Sequence, residues 1–234
     1  MPRAILFDLD DTIIDSGGNV AGALREASGL AAEQIEGLEP GAAYDAISAV
    51  RSSFWSDPER NTKWRRDLRA AGAEIVRLAL AELGYEIEPS LARAVSNRYR
   101  DLRNESYSLL PGAVPTLQRL RERGCRLGLV TNGSAAEQRG KIERFDLERH
   151  FDHIQIEGEF GFGKPDPRSY LTALRILDTA PFEAWFVGDH YEWDVAAPKR
   201  LGLYSVWVNS AGDPPPPRAF EAPDLVVAGI DELP

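Results

Sequence analysis

The stretch AILFDLDDT, residues 4–12, joins four apolar residues to carboxylates at Asp8, Asp10 and Asp11. An apolar run of this length that ends in polar residues is typical of a strand buried in a parallel sheet. Side chains alternate along an extended segment, so we expect Asp8 and Asp10 to point the same way, with Leu9 opposed. Carboxylates placed this close together repel one another, which predicts a compensating positive charge nearby.

Two interpretations of this acidic cluster are open on these residues alone. Open α/β sheets bind their ligands at the carboxyl ends of the strands, where Asp8 and Asp10 could hold a divalent cation. Mg²⁺ is the favoured ion because it takes oxygen ligands and also accepts phosphate oxygens. The alternative is a helix N-cap or an exposed acidic turn, since aspartate is common in both.

Further apolar runs recur along the chain and decide the fold class. They cover residues 127–130, 154–156, 185–187, 205–208 and 224–227. Helical patterns lie between them, for example at residues 113–124 and 167–177. Alternating strands and helices predict a doubly wound α/β domain with a parallel, Rossmann-like sheet.

The block from residue 17 to residue 107 breaks this alternation. It is rich in Ala, Glu and Arg, and its apolar residues show helical spacing, as at Ile75, Leu78 and Leu83. We therefore expect an all-helical insertion over residues 17–107, and an α/β domain formed by residues 1–16 and 108–234.

Polar residues follow three of the later strands as well. Thr131 and Asn132 end one run, and a hydroxyl with backbone N–H groups at a strand end can seat an anion. Lys164 lies in the turn GFGKPDP, and Asp189 ends another run, with Asp194 five residues later. Each feature is weak alone, but four such strand ends in order predict a single charged site.

The segments DLDDT (8–12), VTNG (130–133), GKPDP (163–167) and GDHYEWD (188–194) together resemble the four motifs of the haloacid dehalogenase (HAD) superfamily. The helical insertion resembles the type-one cap of that superfamily. The segment TNGSAAEQRGKIERFDLERHFD (131–152) further resembles the branch that contains pyrimidine nucleotidases and N-acylneuraminate-9-phosphatases.

The resemblance implies a role for each motif residue. Asp8 would be the nucleophile that forms an aspartyl-phosphate, and Asp10 would protonate the leaving oxygen and then deprotonate water. Thr131 and the Asn132 amide would hold phosphate oxygens. Lys164 would bind phosphate too and offset the charge on Asp8.

The resemblance also implies a metal site. Mg²⁺ would be held by the Asp8 carboxylate, the Asp10 backbone carbonyl and Asp189, with Asp194 supporting these ligands from behind. Mg²⁺ and Lys164 together would make the acidic cluster tolerable, because an opposite charge within about 4–6 Å favours the ionised form.

We therefore expect a Mg²⁺-dependent phosphatase that hydrolyses a small phosphate monoester, such as a nucleoside monophosphate or a sugar phosphate. One alternative is a 2-haloacid dehalogenase, but those members lack the second aspartate, because a departing halide needs no proton. The other alternative is a phosphate-ligand-binding protein without turnover, for which Asp10 would be unnecessary.

Three residues are candidates for selecting the substrate. Trp64 and Arg65 belong to an aromatic and basic stretch of the helical insertion, and an aromatic ring beside an arginine suits a sugar, a base or an acidic group. His190 stands where the family usually has a small residue or threonine. The alternative is a solvated helix with Trp64 packed inside, and a surface histidine.

Composition limits the partners. The net charge of −10 argues against binding to nucleic acid or to an anionic membrane surface. No apolar run approaches the roughly 20 residues that span a bilayer. A single cysteine, Cys125, and the lack of a basic-then-apolar leader pattern predict a cytoplasmic protein. As a phosphatase, the protein is expected to be a monomer or homodimer that acts on a small phosphorylated metabolite.

Overall fold

The computed structural model describes residues 1–65, 67–216 and 221–234. The described chain divides into two compact units, residues 1–16 with 108–234 and residues 17–107. We call them the sheet unit and the helical unit. Arg66, which belongs to the basic stretch that includes Trp64 and Arg65, lies outside the described residues.

Parallel strands form the centre of the sheet unit. The strands are β1 (Ala4–Phe7), β2 (Ile14–Asp15), β3 (Ser108–Leu109), β4 (Arg126–Thr131), β5 (His153–Ile156), β6 (Ala184–Gly188), β7 (Tyr204–Val208) and β8 (Leu225–Val227). Among the described residues, six of them form one sheet in the order β5-β4-β1-β6-β7-β8, and every pairing in it is parallel. The predicted doubly wound α/β class is confirmed, because each predicted apolar run falls on one of these strands.

β1 lies in the middle of this sheet, which explains its uninterrupted apolar sequence. Its four residues are fully buried, and its last residue, Phe7, pairs with Leu129 of β4 on one side and Val187 of β6 on the other. A parallel register brings the carboxyl ends of β1, β4 and β6 to the same edge of the sheet. The residues that follow these strands therefore meet.

The helical unit packs helices around its own apolar core. Its helices are α1 (Val20–Gln34), α2 (Pro40–Ser56), α3 (Pro58–Trp64), α4 (Leu68–Glu82) and α5 (Pro89–Ser106). Ile47, Phe54, Ile75 and Leu80 are nearly or fully buried in this core. No strand occurs in the described part of residues 17–107, in agreement with the all-helical insertion that the sequence predicts.

Helices on the sheet unit complete its layers. They are α6 (Ala113–Glu122), α7 (Ala135–Arg144), α8 (Glu157–Phe160), α9 (Pro167–Ile176) and α10 (Ala197–Arg200). Residues 191–196 form a π-helical turn between β6 and α10. Nowhere in the described ranges does a helix combine the length and the apolar character that crossing a membrane requires.

A short antiparallel ladder, which the sequence pattern did not predict, forms where the chain leaves and re-enters the sheet unit. Ile14 of β2 pairs with Leu109 of β3, and Asp15 pairs with Ser108. Strands this short carry no periodic signal, so only the meeting of two distant segments defines them.

Candidate active site

Asp8 lies at the carboxyl edge of the sheet, directly after β1. Its backbone N–H donates to the Val187 carbonyl at 2.9 Å, so the extended backbone continues one residue beyond the strand. The residue is only 9% exposed, which makes its carboxylate a largely desolvated charge. A buried carboxylate needs a partner of opposite charge.

Lys164 supplies that charge. Its Nζ lies 2.9 Å from Asp8 Oδ1 and 2.6 Å from Asp194 Oδ1, and the residue is 1% exposed. Burial opposes the charge of Lys164, but the carboxylates of Asp194 and Asp8 outweigh this effect and raise the pKa of the ammonium above its ordinary value. Lys164 therefore stays a cation between Asp8, which follows β1, and Asp194, which lies beyond the end of β6.

The π-helical turn after β6 places Asp194. Its Oδ2 accepts from the His190 backbone N–H at 2.9 Å, while Oδ1 faces Lys164, and the residue is fully buried. Gly188 leaves the space that this carboxylate occupies, because a Cβ at position 188 would lie 2.4 Å from Asp194 Oδ2. Desolvation raises the pKa of Asp194 above the ordinary carboxyl range.

Asp189 completes a cluster of acidic side chains. Among the described residues, Asp8, Asp189 and Asp194 each offer a carboxylate oxygen, and these atoms lie within 4.8 Å of one another. Burial is the main cause that raises the pKa of Asp8 to about 7 and that of Asp189 to about 8. The neighbouring carboxylates raise both pKa values further, while the Lys164 cation opposes the shift. An all-oxygen donor set under mutual repulsion fits a hard divalent cation.

Asp10 lies outside this cluster and has other partners. Its Oδ1 accepts from Lys141 Nζ at 2.6 Å, and its Oδ2 accepts from Gln138 Nε2 at 2.9 Å. Both donors belong to α7, where a spacing of three residues puts them on one face of the helix. The sequence interpretation missed Gln138 and Lys141, although their spacing in the segment EQRGKI (137–142) was the available signal.

Thr131 and Asn132 use their side chains differently. Thr131 is 2% exposed, and its Oγ1 accepts from Gln138 Nε2 at 2.6 Å. The Asn132 side chain binds the backbone of Lys164 twice, since Oδ1 accepts from its N–H and Nδ2 donates to its carbonyl, both at 2.7 Å. Asn132 thus connects the second motif to the third and holds the Lys164 loop in place.

Glu157 is a second residue that the sequence interpretation missed. It is 1% exposed, and its Oε2 accepts from the Gly133 N–H at 3.1 Å. Gly163 packs against it so closely that a Cβ at position 163 would lie 2.7 Å from Glu157 Cδ. Glu157 therefore stabilises the loop that follows Thr131, next to the Lys164 turn.

His190 follows Asp189 at the exposed end of the site. Its ring stacks on Trp193, with 3.9 Å between centroids and 13° between planes, and its Nδ1 accepts from the Trp193 backbone N–H at 3.3 Å. Burial of the ring and then the Lys164 cation lower the pKa of His190. Tyr170 donates to the Trp193 carbonyl at 2.5 Å, which fixes this aromatic pair to α9.

Trp64 and Arg65 belong to the helical unit. Trp64 ends α3 and packs on Phe54, with 6.1 Å between ring centroids, so part of its surface serves the apolar core. It also lines a cavity of about 320 Å³ with Arg60 and Lys63. Arg65 follows the helix, half-buried, and its N–H closes the last turn. That these residues select the substrate stays a prediction.

Comparison with known proteins identifies the family of this chain. Residues 2–202 match the family model of the haloacid dehalogenase-like hydrolases. A glyceraldehyde 3-phosphate phosphatase of Methanopyrus kandleri is 30% identical over 239 aligned residues, which cover 100% of this chain and 96% of the relative. A phosphoserine phosphatase of Thermus thermophilus is 35% identical over 192 residues, covering 82% of this chain and 70% of the relative.

A solved structure shares the fold over nearly the whole chain. The magnesium-bound HAD-hydrolase YfnB of Bacillus subtilis superposes with a TM-score of 0.75 at 25% identity, covering 99% of this chain and 96% of that chain. This chain belongs to the haloacid dehalogenase-like hydrolases. Within that family it is a hydrolase of phosphate monoesters.

Proposed function

We propose that this protein is a Mg²⁺-dependent phosphatase that hydrolyses a small phosphate monoester through an aspartyl-phosphate on Asp8. The observation that carries the proposal is the position of Lys164, which bridges Asp8 and Asp194 beside Asp189. Binding a phosphate group alone would not need the buried carboxylates of Asp8 and Asp194 beside the half-buried carboxylate of Asp189, since all three repel an anion.

Asp8 is the nucleophile in this proposal. Its carboxylate attacks phosphorus, the bond from phosphorus to the ester oxygen breaks, and water later releases phosphate from Asp8. A carboxylate nucleophile divides one difficult displacement into two easier ones. The Lys164 ammonium, 2.9 Å from Oδ1, orients the Asp8 carboxylate and offsets charge on the transferring group.

Asp8, Asp189 and the Asp10 backbone carbonyl would hold Mg²⁺, with Asp194 binding Lys164 behind them. The bound ion supplies the positive charge that lets an anionic nucleophile meet an anionic substrate. The raised pKa values of Asp8 and Asp189 support this assignment, since both carboxylates lack sufficient neutralising charge from the protein itself.

Thr131 and the Asn132 backbone amide would bind the phosphate oxygens, while Asp10 acts as acid and then base. Gln138 donates to Thr131 Oγ1, and the Thr131 hydroxyl donates to the Asn132 carbonyl at a long 3.4 Å, a weak bond that an oxygen of the substrate would replace. Asp10 gives its proton to the leaving oxygen and later accepts one from the attacking water.

We propose a three-carbon phosphate ester as the substrate, ahead of a nucleoside monophosphate or a larger sugar phosphate. Two relatives that cover most of this chain are phosphatases of glyceraldehyde 3-phosphate and of phosphoserine, each an ester of three carbon atoms. Trp64, Arg65 and His190 are the residues we expect to discriminate among esters.

Hydrolysis of p-nitrophenyl phosphate tests the reaction. We expect turnover with Mg²⁺, none with a chelator, and none in Asp8→Asn, while Asp178→Asn, at an exposed aspartate, behaves as wild type. Acid-quenched wild type should carry one phosphoryl group by intact mass. Chelator-resistant turnover, or activity in Asp8→Asn, would refute the mechanism.

A panel of esters tests the substrate class. It compares glyceraldehyde 3-phosphate, phosphoserine, a nucleoside monophosphate and a hexose phosphate by kcat/KM. We expect the three-carbon esters to lead, and Arg65→Ala to change the order while p-nitrophenyl phosphate turnover is kept. A nucleotide at the top of the order would contradict the proposed class.

A further inference from the structure

The acid–base carboxylate Asp10 is held by a single helix. Both of its oxygens accept hydrogen bonds from α7, Oδ1 from Lys141 at 2.6 Å and Oδ2 from Gln138 at 2.9 Å. Lys141 and Gln138 are themselves buried, at 9% and 3% exposure. Two buried long side chains that converge on one carboxylate restrict its orientation, because neither donor has solvent in which to reorient.

Gln138 connects Asp10 to the proposed phosphate seat. Its Nε2 lies 2.9 Å from Asp10 Oδ2, 2.6 Å from Thr131 Oγ1 and 2.9 Å from the Asn132 carbonyl. Because the Asp10 carboxylate and the Asn132 carbonyl can only accept hydrogen bonds, the Gln138 side chain must turn its amide nitrogen, not its oxygen, toward them. The position of Asp10 is thereby tied to the position of Thr131.

These contacts place a hydrogen-bond donor at each oxygen of Asp10. When Asp8 attacks phosphorus, the ester bond breaks, the leaving oxygen takes the Asp10 proton, and a carboxylate is left. The ammonium of Lys141 and the amide of Gln138 face that carboxylate from fixed positions. Donors already aimed at a developing charge stabilise it without reorganising.

We propose that Lys141, assisted by Gln138, is the positioning residue for Asp10 and determines how well the enzyme expels poor leaving groups. This inference rests on the proposed function, in which Asp10 is the general acid. It assigns to α7 a part in the first chemical step, while Lys164 serves the nucleophile. Asp8 shares Lys164 with Asp194, whereas Asp10 pairs with Lys141, so the two neighbouring carboxylates of the proposed reaction contact different cations.

The leaving group distinguishes this role from a structural one. Phenyl phosphate and p-nitrophenyl phosphate have nearly the same shape, but phenolate is a much poorer leaving group and needs the proton more. The constant kcat/KM reports the steps up to departure of the alcohol. General acid catalysis typically contributes about 10²–10⁴-fold, so we expect Lys141→Met to lower kcat/KM for phenyl phosphate about tenfold more than for p-nitrophenyl phosphate.

Three variants complete the design. Lys141→Arg keeps a cation and should recover part of the phenyl phosphate activity. Lys199→Met breaks a Lys–Asp pair of the same 2.6 Å length in the same unit, at Asp224, and should leave both esters unchanged. If Lys141→Met does not fold, Gln138→Met removes the other donor and is judged by the same ratio. Competitive inhibition by inorganic phosphate should stay close to wild type in Lys141→Met.

The outcomes separate the two proposals. If wild type with Mg²⁺ hydrolyses neither ester, the proposed function fails, and this inference fails with it. If wild type is active and Asp8→Asn is not, but Lys141→Met loses both esters equally or neither, only the role of Lys141 is refuted. A selective loss of phenyl phosphate hydrolysis with Lys199→Met unaffected supports it.

Discussion

The ammonium nitrogen of Lys164 lies 2.6 Å from Oδ1 of Asp194, and both residues are almost completely removed from solvent. A buried ion pair is stable only when the remaining donors and acceptors are also satisfied. Asp8 is the second acceptor for Lys164, and the His190 N–H is the second donor to Asp194. The pair therefore joins the third and fourth motifs and forms the base of the site.

Replacing the buried cation Lys164 should destabilise the protein strongly. Lys164→Met leaves Asp8 and Asp194 buried without their counter-charge, and breaking such a pair typically costs about 3–5 kcal/mol. We expect a loss of this size in the free energy of unfolding, measured by urea denaturation near neutral pH with a chelator present. In Lys199→Met, where the pair is more exposed, the loss should be under about 1 kcal/mol. Similar losses in both variants would contradict the structural role of Lys164.

Stability should depend on pH and on Mg²⁺ together. The pKa of Asp8 is raised from 3.8 to about 7, and that of Asp189 from 3.8 to about 8. At a pH between 3.8 and these raised values, the folded protein holds protons on both carboxyls that the unfolded chain has lost. The free energy of unfolding of the metal-free protein should therefore fall as pH rises from about 4 to 8. Mg²⁺ replaces these protons, so it should raise Tm more at the alkaline end of this range than at the acidic end.

Thermal melts with Mg²⁺ or with a chelator, at both ends of that range, check this prediction. In Asp189→Asn the pH dependence and the effect of Mg²⁺ should both become smaller, because one titrating ligand is lost. An equal Mg²⁺ effect at the two ends of the range would show that these carboxylates do not titrate on metal binding.

The lack of a Cβ at Gly188 should be essential for the site. In Gly188→Ala the new Cβ would lie 2.4 Å from Asp194 Oδ2, so the carboxylate must move away from Lys164. Displacing a catalytic constellation by about 1 Å can cost about 10²-fold in rate, and we expect kcat/KM to fall by that order.

Gly140→Ala is the matched control for this glycine. Gly140 lies within α7, and a Cβ there meets no atom within 4 Å. Alanine favours a helix over glycine by about 0.5–1 kcal/mol, so the variant should be more stable and equally active. If both variants were fully active, the close approach of Gly188 to Asp194 would have no functional role.

The two hydrogen bonds between the Asn132 side chain and the Lys164 backbone form a clamp that should also be needed for catalysis. Asn132→Ala leaves a partly buried N–H and carbonyl without partners, at an expected loss of about 1–3 kcal/mol of stability. The Lys164 loop should shift, so kcat/KM for p-nitrophenyl phosphate should fall.

Asn209 provides the comparison, because its side chain makes the same pair of bonds to the backbone of Asp213 in an exposed loop. Asn209→Ala should leave kcat/KM unchanged, and its stability should change little, since water replaces the lost bonds. A normal kcat/KM in Asn132→Ala would show that the loop holds Lys164 without the clamp.

The strand ends that form the site were predictable from local pattern. A buried parallel strand such as β1 is a short continuous apolar run, and the first polar residue after it, Asp8, marks the ligand-binding edge. Thr131 and Asp189 follow the same rule on the two strands beside β1. The helical insertion was equally visible, because helical spacing persists through residues 17–107.

The partners of those residues were not predictable in this way. Asp10 meets Lys141 across 131 positions of sequence, and Asn132 meets Lys164 across 32. Such pairs depend on which strands are neighbours and on which face of α7 turns toward β1. Local periodicity shows that a helix has two faces but not what either face contacts.

The sequence by itself thus determined the parallel sheet, the helical insertion and the acidic strand ends, because each follows from the spacing of apolar and polar residues along a short segment. Only the tertiary structure decided that Lys164 serves Asp8 and Asp194 while Lys141 serves Asp10. Pairing of charges depends on distances of a few ångströms between segments far apart in the chain, and those distances exist only once the sheet has assembled.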